Sequence, residues 1–576
     1  VTVVERGVEA PSRAPGEGWL RRLWHAPLAA HVAVLAVALV ALLPVMTPRG
    51  SFTSDEGAYA LQARALQHGR WAYDYRAAPY DPGGRHFPII LSDRNGETYF
   101  SYVKHPLFPL LLSASSRELG ESGGLHALSL LGVVGTAIAA WLLARELDPA
   151  LSRPAFWLVA AGPVLVDGYL IWAHALSAAI GGLCLVAAVR LLRAGGWWRA
   201  AALGIGLAAG ALLRSEGLLF AAAVTLAVAG SLLWQHLVRA AVLTAAVVGG
   251  PAAVATVVER LWIRSIVGAA PAPIAVRSSG STSYLGGRVG GAWHELFQAG
   301  FADRLGLTLG LLGLAVTVGV AVLALQRRRE TWPAELTVGL ATGVGLLVVR
   351  FATAPTDAIT GLFAAWPVAL IGLVCVPWRS DRARPGVVRL LGAVCALFAA
   401  AVLATQYPEG GGFEWGGRFF SPVLAPIAVL AVFGLRTRLR TMPGGDRAAA
   451  LATRALAAAV AVTAILGLAT IAVTRGRQDA LVAAVARHPA TVTVTTIDAL
   501  PRIGWRVDDR VTWMLTTAGE LPGLVADLRA AGVPSVAVVS GAATPTGAAL
   551  AAYPRVEVVH DRAVDRLHGR LVVLSG

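Results

Sequence analysis

Lysine is almost absent from this sequence: of 49 lysines and arginines in 576 residues, only Lys104 is lysine. Charge of either sign is scarce too, at 14% of residues against 56% hydrophobic. Ordinary soluble domains carry about 25% charged residues. Only three cysteines occur, Cys184, Cys375 and Cys395, each inside an apolar run. That excludes a disulfide framework and a cysteine-based metal site. Neither a glycine-rich phosphate loop nor a nucleophile elbow occurs, and "GAATPTG" near the carboxyl end lacks the spacing of a dinucleotide fingerprint.

What is present is a succession of long apolar runs from Pro27 to about Thr474. A bilayer offers backbone groups no hydrogen-bond partners, so each run is expected to be a helix. Thirteen spans are predicted, at 27–46, 124–144, 154–171, 174–192, 200–213, 216–234, 240–262, 304–325, 334–350, 355–377, 387–405, 419–435 and 455–474. Residues 1–26 are polar and include Arg21 and Arg22, so the first run is read as an uncleaved span with a cytoplasmic leader. The formal charge of +15 would suggest nucleic acid in a soluble chain. Here the arginines fall on every second connection, for example Arg145/Arg153, Arg190/Arg193/Arg199, Arg327–Arg329 and Arg436/Arg438/Arg440. Those connections are expected in the cytoplasm, which puts the intervening ones and the carboxyl terminus outside.

The connections expected outside hold the acidic, histidine and aromatic residues. In the first, residues 47–125, "SDEGAYALQARALQHG" reads as a helix with Ser54 as N-cap and Gly69 as terminator. Asp55 and Glu56 serve there either as favourable charge at a helix N-terminus or as a general base facing a cavity. In "YVKHPLFP", Lys104 is either a snorkelling anchor or a compact ammonium for a phosphate, and its being the one lysine favours the second. Later, "EWGGRFFSP" places Glu414 and Arg418 before a span, either as a loop ion pair or as part of an anion site. Asp167, His105 and His174 are further candidates for substrate binding, and no metal ligand set is read.

After Arg475 the pattern changes to "TVTVTT", "RVTWMLTT", "SVAVVS", "RVEVVH" and "RLVVLS", read as buried strands, with "ELPGLVADLRAAG" as a helix between them. Residues 476–576 are therefore expected to form a small extracytoplasmic α/β domain.

Taken together, "SDEGAY", "KHPLFP", "YLIWAHAL" and "GGRFFSP" resemble the GT-C glycosyltransferases, in particular the protein O-mannosyltransferase and lipid A aminoarabinose transferase group (families 39 and 83). The resemblance covers residues 27–475. It implies a GT-C fold of about thirteen helices in the inner membrane. It also implies transfer of a hexosyl or pentosyl group from a polyprenyl-phosphate donor to an envelope glycan, lipid or protein acceptor. Asp55, with Glu56 beside it, matches the family's base, and Lys104 its donor-phosphate ligand; Arg418 is assigned to the same phosphate. The resemblance names no cofactor. Two rival classes are a transporter or lipid flippase and a non-catalytic envelope scaffold. Against the first stand the clustering of ionisable residues at span ends and the lack of an internal repeat.

Overall fold

The computed structural model describes residues 24, 26–47, 50–82, 84–88, 93–94, 98–100, 105–267, 284–300, a few positions between 308 and 319, 332–378, 385–405, 414–440, 445–541, 555–559 and 569–575. The chain is a polytopic α-helical membrane protein with a small carboxyl-terminal sheet domain. Helix α1 (Leu28–Met46) leads into α2 (Ser54–Gln67), the strands β1 (Ala72–Asp74), β2 (Asp93–Arg94) and β3 (Thr98–Phe100), and α3 (Leu107–Leu119). The membrane part continues through α4 (Glu121–Leu147), α5 (Ser152–Ala160), α6 (Pro163–Asp167), α7 (His174–Ala194), α8 (Trp197–Leu213), α9 (Ser215–Trp234) and α10 (Val238–Val267). Then come α11 (Tyr284–Phe297), α12 (Trp332–Thr353), α13 (Leu362–Ala365), α14 (Pro367–Val374), α15 (Pro385–Thr405), α16 (Leu424–Arg440) and α17 (Gly445–Arg487).

Among the described residues, nine helices are long and apolar enough to cross a membrane. Their outer faces leave large apolar side chains such as Val37, Leu131, Leu226 and Val254 exposed, as a lipid-facing surface requires. Helix α16 sits at the centre of the bundle, with every residue from Leu424 to Val432 buried. Two of the thirteen predicted spans are broken. The predicted 154–171 span is two short helices, parted at Ala161–Gly162 before Pro163, and 355–377 is likewise parted at Trp366 before Pro367. Proline has no N–H to continue a helix, and its ring clashes with the preceding turn. The 200–213 span is the 17-residue α8, and 304–325 lies largely outside the described residues.

The carboxyl-terminal domain is built on β4 (Val492–Thr495), α18 (Leu500–Ile503), β5 (Trp513–Leu515), α19 (Leu521–Ala530), β6 (Ser535–Gly541), β7 (Arg555–Val559) and β8 (Gly569–Ser575). Its strand order is β5-β4-β6-β8-β7, with β4 parallel to both neighbours and β8 antiparallel to both of its own. Each strand arises where apolar alternation predicts one. The expected boundary at residue 475 falls within α17, which runs unbroken to Arg487 and carries the chain from the membrane part into this domain.

The first long connection packs against the domain. Tyr75, Ala77 and Phe87 join its core, and the Leu515 N–H donates to the His86 carbonyl at 2.7 Å. On α2, Arg64 donates to the Trp505 carbonyl at 3.0 Å with its guanidinium 4.6 Å from the Trp505 ring, and Trp505 Nε1 donates to Ser51 Oγ at 3.1 Å. Helix α2 approaches α18 so closely that a Cβ on Gly57 would lie 1.7 Å from the Arg502 carbonyl oxygen.

Candidate functional site

Helix α2 begins with a capping box: the Thr53 side chain accepts from the Glu56 backbone, and the Glu56 side chain accepts from the Thr53 backbone. This fixes Asp55 in the first turn, where the helix dipole favours an anion. The two neighbouring acids then diverge. Glu56 is wholly buried; Oε1 accepts from Phe52 N at 2.6 Å and Thr53 N at 3.0 Å, and Oε2 accepts from Ile171 N at 3.0 Å and from Arg475. Arg475, on α17, also donates to the Met46 carbonyl and, at 2.8 Å, to that of Tyr169. One carboxylate and one guanidinium thus tie together the end of α1, the start of α2, the 168–173 segment and α17. Asp55 is 28% exposed, and its Oδ2 accepts from Arg418 Nη1 at 3.1 Å.

Arg418 is delivered by backbone geometry. Gly416 and Gly417 adopt φ of +68° and +64°, a left-handed pair that residues with a Cβ enter at a cost. Their N–H groups donate to the Ile359 and Thr360 carbonyls at 2.8 and 2.5 Å. The chain therefore turns against the 357–361 segment and presents Arg418 from a 3-10 turn, Arg418–Val423. The nearly buried guanidinium lies 2.6 Å, through Nε, from Glu414 Oε2, and 5.6 Å from the Trp172 ring. Glu414 is completely buried, and burial raises its carboxyl well above the usual range; Glu295 beside it raises it further, while Arg418 acts against the rise.

Around this pair lie other acids and bases. Asp167 and His174 are buried at the two ends of the 168–173 segment, the His174 ring 4.3 Å from that of Trp172. Neither ring nitrogen of His174 has a hydrogen-bond partner among the described residues. Arg214 and Glu216 pair with each other through two contacts, at 3.1 and 2.8 Å. Tyr59 is buried on α2 with its ring edge-on to Phe108 at 5.0 Å, and burial pushes its phenol up to about 12.

The structure therefore brings Asp55, Arg418 and Glu414 into one chain of contacts, with Glu56 behind Asp55. His105 stands apart from that chain: it adopts a left-handed φ of +54°, and its Nδ1 lies 3.1 Å from Glu259 Oε1 on α10. Lys104 lies outside the described residues. Sequence reasoning passed over Arg475, Glu259, His294 and Glu295. The last two stand side by side on α11, and adjacent helical residues are not expected to act on one target.

No family model matches the chain, and no curated protein matches it. Among solved structures, the chain is similar to ArnT from Cupriavidus metallidurans bound to undecaprenyl phosphate. That likeness has 14% identity and a TM-score of 0.48, and covers 95% of this chain and 98% of the other. A second likeness is to the archaeal oligosaccharyltransferase AglB from Archaeoglobus fulgidus, in complex with an inhibitory peptide and a dolichol-phosphate. Its identity is 14% and its TM-score 0.47, over 91% of this chain and 70% of that one. At these values the likeness assigns no role to any residue of this chain.

Proposed function

We propose that this protein is a glycosyltransferase that moves a sugar from a polyprenyl-phosphate donor to an acceptor on the outer face of the cytoplasmic membrane. Residues 27–475 form the transferase module on this reading, and 476–576 a domain seated against its first connection. The observation that carries the reading is the contact of Asp55 with Arg418: a reachable carboxylate touching a nearly buried guanidinium. A carboxylate of that kind suits a general base, and a guanidinium suits a phosphate.

In the proposed reaction, the acceptor hydroxyl attacks the anomeric carbon and gives its proton to Asp55. The new C–O bond forms as the bond from that carbon to the phosphate oxygen breaks, and the polyprenyl phosphate leaves as a monoester. Such a leaving group needs charge stabilisation rather than protonation, and Arg418 and Lys104 supply it. A single displacement inverts the anomeric centre. Without donor, Arg418 holds the Asp55 carboxylate as its ion-pair partner. His105, Asp167, His174 and Glu414 are assigned to substrate binding or to its support.

The test is a panel of radiolabelled polyprenyl-phosphate sugars incubated with purified full-length protein. Asp55→Asn should still bind the active donor while turnover falls about 10²–10⁴-fold. Near-wild-type turnover in that variant would remove Asp55 as the base, and failure of every donor in the panel would remove the activity.

A further inference from the structure

Residues 500–507 join the carboxyl-terminal domain to the helix that carries Asp55. They comprise α18 and a 3-10 turn, Trp505–Val507. Leu500 and Ile503 belong to the domain, buried in a core shared with Trp513 and with Leu481 and Val485 of α17. Two residues on, Trp505 is 1% exposed and belongs to the apolar core of the membrane part. Gly504 stands between them, and a Cβ on it would lie 3.0 Å from the Trp513 ring. The chain is thus anchored in the domain on one side of Gly504 and in the helix bundle on the other.

These residues hold α2 at both ends. Before its first turn, Ser51 Oγ accepts from Trp505 Nε1 at 3.1 Å. In its last turn, Arg64 donates to the Trp505 carbonyl at 3.0 Å, lies 4.6 Å from the indole ring and pairs with Glu121 at the start of α4. Between the two, a Cβ on Gly57 would lie 1.7 Å from the Arg502 carbonyl oxygen and 2.6 Å from its carbon, so backbone meets backbone. Helix α2 has 14 residues, a length at which an isolated helix is marginal in water, so its place is set by what it packs on. Asp55 stands two residues before Gly57. Arg418 reaches Asp55 from elsewhere, from the Gly416–Gly417 corner seated on the Ile359 and Thr360 carbonyls.

We propose that the carboxyl-terminal domain positions the base: Trp505, together with the Arg502 carbonyl against Gly57, sets where α2 holds Asp55 relative to Arg418. Trp505 is then a positioning residue that touches no substrate. Base and phosphate ligand are placed by different parts of the chain, so a fault in this contact moves one and leaves the other. Asp55 as base comes from the transfer reading, on which this role of Trp505 rests; the seating of α2 on the domain stands on geometry alone.

The test uses the full-length protein in detergent, with turnover of the active polyprenyl-phosphate sugar and amide hydrogen exchange read by mass spectrometry. A misplacement of about 1 Å costs up to about 10²-fold in rate, so Trp505→Ala and Gly57→Ala should each lower kcat at least about tenfold while the donor KM stays near wild type. Trp505→Phe keeps a ring in the core and should recover most of the turnover. On an Asp55→Asn background, Gly57→Ala should cost no further turnover, because the displacement then moves no base. Exchange over α2 should quicken in Trp505→Ala and stay unchanged over α19. Gly57→Ala, which leaves Trp505 intact, stands in should Trp505→Ala fail to fold. Three outcomes overturn the proposal: wild-type exchange over α2 in both variants, kcat and donor affinity falling together, or an equal further loss on the Asp55→Asn background. A wild type that transfers no sugar removes the transfer reading, and the exchange measurement alone then decides whether the domain seats α2.

Discussion

At the scale of single residues, Asp55 and Glu56 carry the same functional group on consecutive positions of one helix turn, and their environments make them opposites. Glu56 accepts from three backbone N–H groups and from Arg475, with no exposure to water. Breaking a buried ion pair by removing one partner strands the other charge and costs about 3–5 kcal/mol. Glu56→Gln should therefore lower the melting temperature sharply. Asp55→Asn removes a partly exposed charge and leaves Arg418 its second carboxylate, Glu414 at 2.6 Å, so it should melt closer to wild type. Thermal unfolding of both variants in detergent checks the contrast; equal melting temperatures would sink it. Asp55 was legible as a candidate because a carboxylate follows a span and heads a helix. The commitment of Glu56 was not, because its charged partner stands 419 residues away.

At the scale of elements, regular apolar runs were legible and interruptions were not. Nine predicted spans coincide with long helices, although Pro44 and Pro251 lie inside two of them. In 154–171 and 355–377 the same composition conceals breaks at Gly162–Pro163 and at Trp366–Pro367 and non-helical stretches at 168–173 and 354–361, and the backbone of those stretches is used by the site. The Ile171 N–H goes to Glu56, and the Ile359 and Thr360 carbonyls receive Gly416 and Gly417. Irregular backbone at membrane depth is tolerated where protein supplies its partners. Hydropathy records how apolar a segment is, and carries no information about which partners await its backbone. The Gly416–Gly417 corner gives a test at this scale. Gly417→Ala forces a Cβ into the left-handed region and to 2.9 Å from the Leu362 Cβ. Strain alone costs about 1–2 kcal/mol, and Arg418 must shift with the turn. The variant should lose both stability and donor affinity. Gly345→Ala, in the α12 interior with open space around it, should lose neither. Wild-type donor binding by Gly417→Ala would show that the corner does not position Arg418.

At the scale of the whole molecule, the helices have chemically different ends. Helix α4 starts at Glu121, paired with Arg64 beside the candidate site, and ends at Glu146, paired with Arg190 and Arg193. Its 27 residues separate those ends by about 40 Å. Helix α7 runs from buried His174 to the same arginines, and α16 runs from the Arg418 turn to Arg436, which pairs with Asp148 at 3.1 Å. The site and the carboxyl-terminal domain thus share one end of the bundle, and these arginines the other. We propose, by the positive-inside rule, that the arginine end faces the cytoplasm. A fusion ending after Gly195, in the turn between α7 and α8, should then carry a reporter that works only in the cytoplasm. A fusion after Gly576 should carry one that works only outside. Both reporters on one side would contradict the two-ended arrangement itself. A clean reversal would keep the arrangement and contradict the outward-facing site proposed for it.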